Sequence, residues 1–117
     1  MHNFRELKVW KISIQFSKLI FTTIKAFPTE HKFGIANQMF RSAVSIPSNI
    51  AEGCGRKSDN ELKQFISISI GSAFELETQI VIAKEVDLIN EEQYEILETQ
   101  IKEIQRMLTG FLKSLST

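Results

Sequence analysis

Arg41-Ser42-Ala43-Val44-Ser45-Ile46-Pro47-Ser48-Asn49-Ile50-Ala51-Glu52-Gly53 places a proline among residues that otherwise suit a helix. Around it, Ile35, Ala36, Met39, Phe40, Ala43, Val44, Ile46, Ile50 and Ala51 recur at helical spacing and do not alternate as a strand requires. An interior proline removes one backbone donor and crowds the carbonyl four residues back, costing roughly 3 kcal/mol. Reading through Pro47 as helix therefore demands compensation. Ser45, Ser48 and Asn49 carry short polar side chains able to bond freed backbone groups. The stretch predicts one continuous, bent helix rather than two helices and a loop. Two uses of it stay open: a kink that fits the helix to its neighbours, or a polar recognition patch.

Upstream, a helix is predicted from about Phe4 to Ala26. Lys8, Lys11, Gln15, Lys18, Thr22 and Lys25 alternate spacings of three and four and form one narrow polar stripe. Leu7, Val9, Trp10, Ile12, Ile14, Phe16, Leu19, Ile20, Phe21 and Ile24 fill the remaining circumference, wider than the ~100° stripe of a surface helix. That excess implies a second buried face. Pro28 breaks the chain, and Thr29 or Glu30 is placed to begin the next helix. The second helix is expected to close at Gly53-Cys54-Gly55 with a glycine in the left-handed cap.

Downstream, Ser58 and Glu61 have the spacing of a capping box. Leu62, Ile66, Ser69, Ala73, Leu76, Ile80 and Ala83 then form a heptad-like row fading near Val86-Asp87. Phe65, Ile68, Ile70, Phe74, Val81 and Ile82 lie outside that row, and Gly71-Ser72 offers a place for close backbone approach. A second capping box, Asn90 with Gln93, opens the last helix, whose row is Tyr94, Leu97, Ile101, Ile104, Leu108, Phe111 and Leu115. So strict a row favours near-antiparallel packing at about 20°. Residues 1–117 are expected to form one all-α domain, an antiparallel up-down-up-down four-helix bundle with a Pro-kinked second helix.

With 117 residues, 43% hydrophobic and 24% charged, the composition is that of one soluble globular domain. No uninterrupted apolar run approaches the ~18 residues of a membrane span. The N-terminus lacks the apolar region of a signal peptide, so a cytoplasmic location is expected. Cys54, the single cysteine, reads as a small loop or helix-end residue. The net charge of zero hides an asymmetry. Residues 1–57 hold nine basic and three acidic side chains, residues 58–117 five basic and eleven acidic. Such a split suits a polyanion-binding face, or basic helices packed beside acidic ones within or between subunits.

Catalytic chemistry finds little support. His2 and His31 are the only histidines, and neither stands at metal-ligand spacing with another His or Cys. No glycine-rich phosphate loop precedes a helix, and the Glu-x-x-His pattern of di-iron bundles is absent. Catalytic residues, cofactors and metals are therefore all expected to be none. Glu75 and Glu77 lie two apart and point to different sides of a helix, so one carboxylate could face inward, with a partner such as Arg41 in a buried salt bridge as the structural account. The basic row is the remaining candidate. Lys11, Lys18, Lys25 and Lys32 lie seven apart, Lys8 and Arg5 extend the row on one side, and Arg56 and Lys57 add a basic connector. Clustered charge of this kind serves phosphate binding, or only a solvated surface. Trp10 and the nine phenylalanines are assigned to the core, leaving no stacking platform for single strands.

Several stretches together resemble the bacterial 23S rRNA intervening-sequence proteins. They are Phe4-Arg5-Glu6-Leu7-Lys8-Val9-Trp10, Phe27-Pro28 with Glu30 and Phe33-Gly34, Gln38 with Arg41-Ser42, and above all Ser45-Ile46-Pro47-Ser48-Asn49-Ile50-Ala51-Glu52-Gly53. Phe65, Gly71-Ser72 and Glu75-Leu76-Glu77 also fit. Arg41, Ser45, Pro47, Ser48, Asn49, Glu52 and Gly53 form the motif. Phe40 departs from it, standing where many relatives look basic. The Ala73-Phe74 pair looks like a local variant. The resemblance implies a four-helix bundle without established reaction, forming homo-oligomers, ring-shaped pentamers among them. Some members are encoded within insertions in the large ribosomal RNA gene, and similar bundles serve diversity-generating retroelements as basic accessory proteins. The partners it implies are further copies of the chain and RNA or a nucleic-acid-processing protein, with no membrane. The rival expectation is an assembly module with no nucleic-acid role.

Overall fold

Apolar rows at helical spacing must be covered, and four helices cover one another here. A computed structural model describes residues 2–115. Helix α1 spans Lys8–Lys25, α2 Ile35–Cys54, α3 Asp59–Glu85 and α4 Glu91–Ser114, with short 3-10 turns at Phe4–Glu6 and Thr29–His31. No strand occurs among the described residues, and the protein is an all-α bundle. Each helix packs on its neighbour in sequence, and α1 also meets α4. The body measures 45 × 23 × 20 Å, set by its long helices.

The rows read from sequence form the centre. Leu62, Ile66, Ala73, Leu76, Ile80 and Ala83 of α3 and Leu97, Ile101, Ile104 and Leu108 of α4 are buried, with Phe16 and Ile20 of α1 and Met39, Ala43, Ile46 and Ile50 of α2 opposite them. Cross-helix contacts pair rising numbers on one helix with falling numbers on the next. Ser45 Oγ lies 2.8 Å from Ser72 Oγ, and Ser69 Oγ donates to the Ile46 carbonyl at 3.0 Å. Nearer the end of α2, Gly53 lies against Leu62 and Phe65. α3 also reaches the length and mean hydropathy, 1.3, of a membrane-spanning helix, although no uninterrupted apolar run does so. In the bundle its apolar row is core.

Several boundaries differ from the sequence reading. α1 begins at Lys8, not Phe4, because Leu7 is extended (φ −74°, ψ 124°). Asn3 caps the preceding turn by accepting from the Arg5 N–H at 3.2 Å. The break lets Phe4 and Leu7 reach the core together, with the Phe4 ring 5.1 Å from that of Trp10. α2 begins at Ile35 rather than Thr29 or Glu30, since Gly34 (φ −104°, ψ −116°) separates it from the 3-10 turn after Pro28. The Asn90–Gln93 capping box is complete. At Ser58 only half forms: its hydroxyl accepts from the Glu61 N–H, but also donates to the Glu61 carboxylate at 3.2 Å.

The glycines exchange roles. Neither Gly53 nor Gly55 takes a left-handed cap; Gly55 ends α2 in a right-handed conformation. Asp87 is the residue with positive φ, 63°, closing α3. There the Leu88 N–H reaches the Ala83 carbonyl and the Asp87 N–H the Lys84 carbonyl, the two bonds of a Schellman end. Close approach belongs to Gly53 and not Gly71. A Cβ on Gly53 would lie 2.7 Å from the Phe65 Cβ, whereas one on Gly71 meets nothing within 4 Å.

Candidate nucleic-acid interface

α2 runs unbroken through buried Pro47. The missing N–H at position 47 orphans the Ala43 carbonyl, four residues back. The donor within reach is on another helix: the Ser17 hydroxyl of α1 shares its one proton between the Ser13 carbonyl at 2.9 Å and the Ala43 carbonyl at 3.2 Å. Of the three nearby candidates, Asn49 supports the backbone beside Pro47, though at the Ser45 carbonyl and not at that of Ala43. Asn49 donates its amide to the Ser45 carbonyl and hydroxyl at 2.8 and 2.9 Å, while Ser48 faces solvent. Ala43 is buried, and the side chain that meets its carbonyl comes from the neighbouring helix.

The motif residues therefore divide. Pro47, Asn49 and Gly53 serve helix continuity and packing. Glu52 accepts an ion pair from Arg56 at 3.1 Å on the surface. Arg41 and Ser45 join Gln38, Ser42, Glu75 and Gln79 around a polar cleft of about 350 Å³ between α2 and α3. The expected buried salt bridge of Arg41 with a carboxylate of the Glu75-Leu76-Glu77 stretch is not made among the described residues. Arg41 and Glu75 are exposed, and at the cleft rim water solvates each charge. The buried polar groups are Ser42 and Gln79, and the Gln79 Oε1 has no hydrogen-bond partner.

On α1 the polar stripe points outward along its whole length. Lys8, Lys11, Lys18 and Lys25 are exposed, and none pairs with a carboxylate among the described residues. From Lys8 to Lys25 the row extends about 26 Å at 1.5 Å per residue. Arg5 sits over the Phe4 and Trp10 rings, 5.9 and 5.8 Å from their centroids. Arg56 and exposed Lys57 belong to the same end of the bundle as Arg5, because the Phe4–Glu6 turn packs on α2 and His2 lies 3.8 Å from Asp59. Arg56 is engaged twice, by Glu52 and by the Phe65 ring at 4.8 Å. The seven cations thus form a row with an end cluster.

Sequence reasoning missed a second feature at the other end of the row. The phenylalanines are not all core. Phe16 and Phe27 are buried, but Phe21 is 46% exposed, Phe33 88% and Phe74 54%. Phe21 and half-buried Phe40 stand 5.4 Å apart in a cleft of about 440 Å³ that Lys25 and Lys32 also line. The four-residue step from Phe21 to Lys25 was the available signal. Cys54 is the buried last residue of α2, and burial pushes its thiol up from the ordinary value, away from nucleophilic use. No cluster of three metal-ligating side chains occurs among the described residues.

Fold and surface together define a small helical bundle with a basic outer stripe. Residues 5–110 match the family described as 23S rRNA-intervening sequence protein, and the chain belongs to it. The chain is also similar to a protein of unknown function from the S23 ribosomal protein family of Bacteroides thetaiotaomicron VPI-5482, known from a 1.70 Å crystal structure. The two share 28% identity and a TM-score of 0.84 over 90% of this chain and 95% of that one. No curated protein matches the chain.

Proposed function

We propose that this protein is a cytoplasmic, non-enzymatic, homo-oligomeric scaffold that binds RNA or a ribonucleoprotein through the outer face of α1. The observation that carries this reading is the solvent-facing row Lys8, Lys11, Lys18 and Lys25, unpaired with any described carboxylate. The lysines of such a row replace cations condensed on RNA phosphates, so association gains from the release of those cations. Contacts of this kind position a strand without reading its bases. Repeating the row around an oligomer multiplies a weak contact, raising avidity by about 10²–10⁴ when one RNA spans several copies.

Gel shifts with structured RNA at 50 and 200 mM salt test the reading. Binding should weaken steeply at the higher salt and show little sequence preference. Replacing Lys11, Lys18 and Lys25 together by Gln should abolish it with the helical circular dichroism unchanged. Wild-type protein that ignores RNA at low salt would leave the rival, an assembly module without nucleic acid, as the better account.

A further inference from the structure

We propose that the cleft between the end of α1 and the start of α2 holds one unpaired base of a single-stranded RNA, with flanking phosphates on Lys25 and Lys32. The proposal rests on the nucleic-acid reading above and names the form of nucleic acid it selects. The cleft, about 440 Å³, is walled by Phe21, Ile24, Phe27, Ala36 and Phe40. Lys25, Lys32, Thr29 and Asn37 complete its lining, and no carboxylate does.

Three features point to a base. First, the Phe21 and Phe40 rings are tilted by 52° and do not stack on each other, so an exposed aromatic surface remains on Phe21. Every base has a π-face, and stacking on such a platform tolerates any sequence. Second, a cation stands at the aromatic wall: Lys25 Nζ lies over the Phe21 ring, 5.3 Å from its centroid, and must swing off that face toward the phosphate for a base to stack there, while Lys32 Nζ lies over Phe33, a ring outside the cleft lining. A nucleotide needs that combination, an apolar face for the base and a cation within reach of its phosphate. Third, Lys25 is also the last member of the α1 row, so a strand tracking Lys11 and Lys18 arrives at the cleft. Asn37 and Thr29 supply polar groups for a base edge.

A second copy of the chain is the less suitable occupant. Interface centres are depleted of lysine, because burying the ammonium loses its hydration, and two lysines line this cleft. Duplex RNA is less suitable too, since its bases are stacked and paired and cannot enter without being unstacked.

Fluorescence anisotropy with a labelled oligouridylate 12-mer and a 12-base-pair RNA duplex tests the proposal, with light scattering on each variant. Phe21→Ala should weaken the single strand tenfold or more and leave duplex affinity and assembly mass unchanged. Phe21→Trp should restore the single strand. Lys11→Gln with Lys18→Gln should weaken both ligands. Equal affinity of Phe21→Ala and wild type for the single strand overturns the proposal, even where the lysine variant shows that the row binds RNA. A parallel loss of duplex binding, or a change in assembly mass, also overturns it, the latter by making the cleft a subunit contact. Failure of wild type to bind either ligand removes the parent reading and this one with it.

Discussion

Ser17 is a small polar residue on a helix whose interest seemed to lie in its lysines and apolar side chains. Its hydroxyl is within 3.2 Å of the carbonyl that Pro47 leaves without a donor. Ala43 is 1% exposed, so no water replaces that bond. Ser17→Ala should destabilise by about 1–3 kcal/mol, the cost of a buried unpaired carbonyl. Thr22→Ala, removing an exposed bond within one helix, serves as control and should cost well under 1 kcal/mol. Equal urea midpoints for the two variants would disprove the assignment. Pro47 advertised the need for compensation in sequence, but nothing local announced its source, because the two residues meet only after α1 and α2 pack. Gly53 illustrates the same limit: glycine at a helix end suggests a cap, and its contact with Phe65 exists only in three dimensions.

Elements were legible wherever periodicity spoke. The α3 row from Leu62 to Ala83 and the α1 stripe from Lys8 to Lys25 lie where their spacing placed them, inside and outside respectively. Boundaries without strong caps were not legible, hence the breaks at Leu7 and Gly34. The α3–α4 contact carries a feature that spacing did not reveal. Glu77 accepts from Gln105 at 2.8 Å, and Glu98 lies close by, its side chain 14% exposed and bonded to Lys102 at 3.2 Å. Burial, then the neighbouring Glu77 carboxyl, raises the Glu98 pKa above its ordinary value despite Lys102. A carboxyl that binds its proton more tightly in the folded chain favours folding at low pH. That contribution is lost as pH rises from the ordinary carboxylate range through the raised folded value. Glu98→Gln should therefore raise the urea midpoint at pH 7 and leave it nearly unchanged at pH 4. A variant less stable than wild type at pH 7 would show that the Lys102 bond outweighs burial.

At the scale of the molecule, the surplus apolar surface inferred from sequence remains uncovered in a single chain. Ile68, Phe74, Val81 and Ile82 of α3 and Ile14 of α1 are exposed. Exposed apolar area of this kind marks interaction surfaces, and it supports homo-oligomers. Light scattering at micromolar concentration should give a mass several times the 13.4 kDa of one chain; a monomer mass would end that expectation. Which faces meet was not legible, since helical spacing says what is apolar and not what covers it. The Ser17–Ala43 contact has one further consequence, for the order of events during synthesis. A ribosome releases α1 before α2, so the residue whose hydroxyl supports α2 has already been made when Pro47 emerges. Closure of the first two helices and completion of the second become one step. If that step belongs to the folding transition state, Ser17→Ala will slow refolding in stopped-flow measurements more than it speeds unfolding.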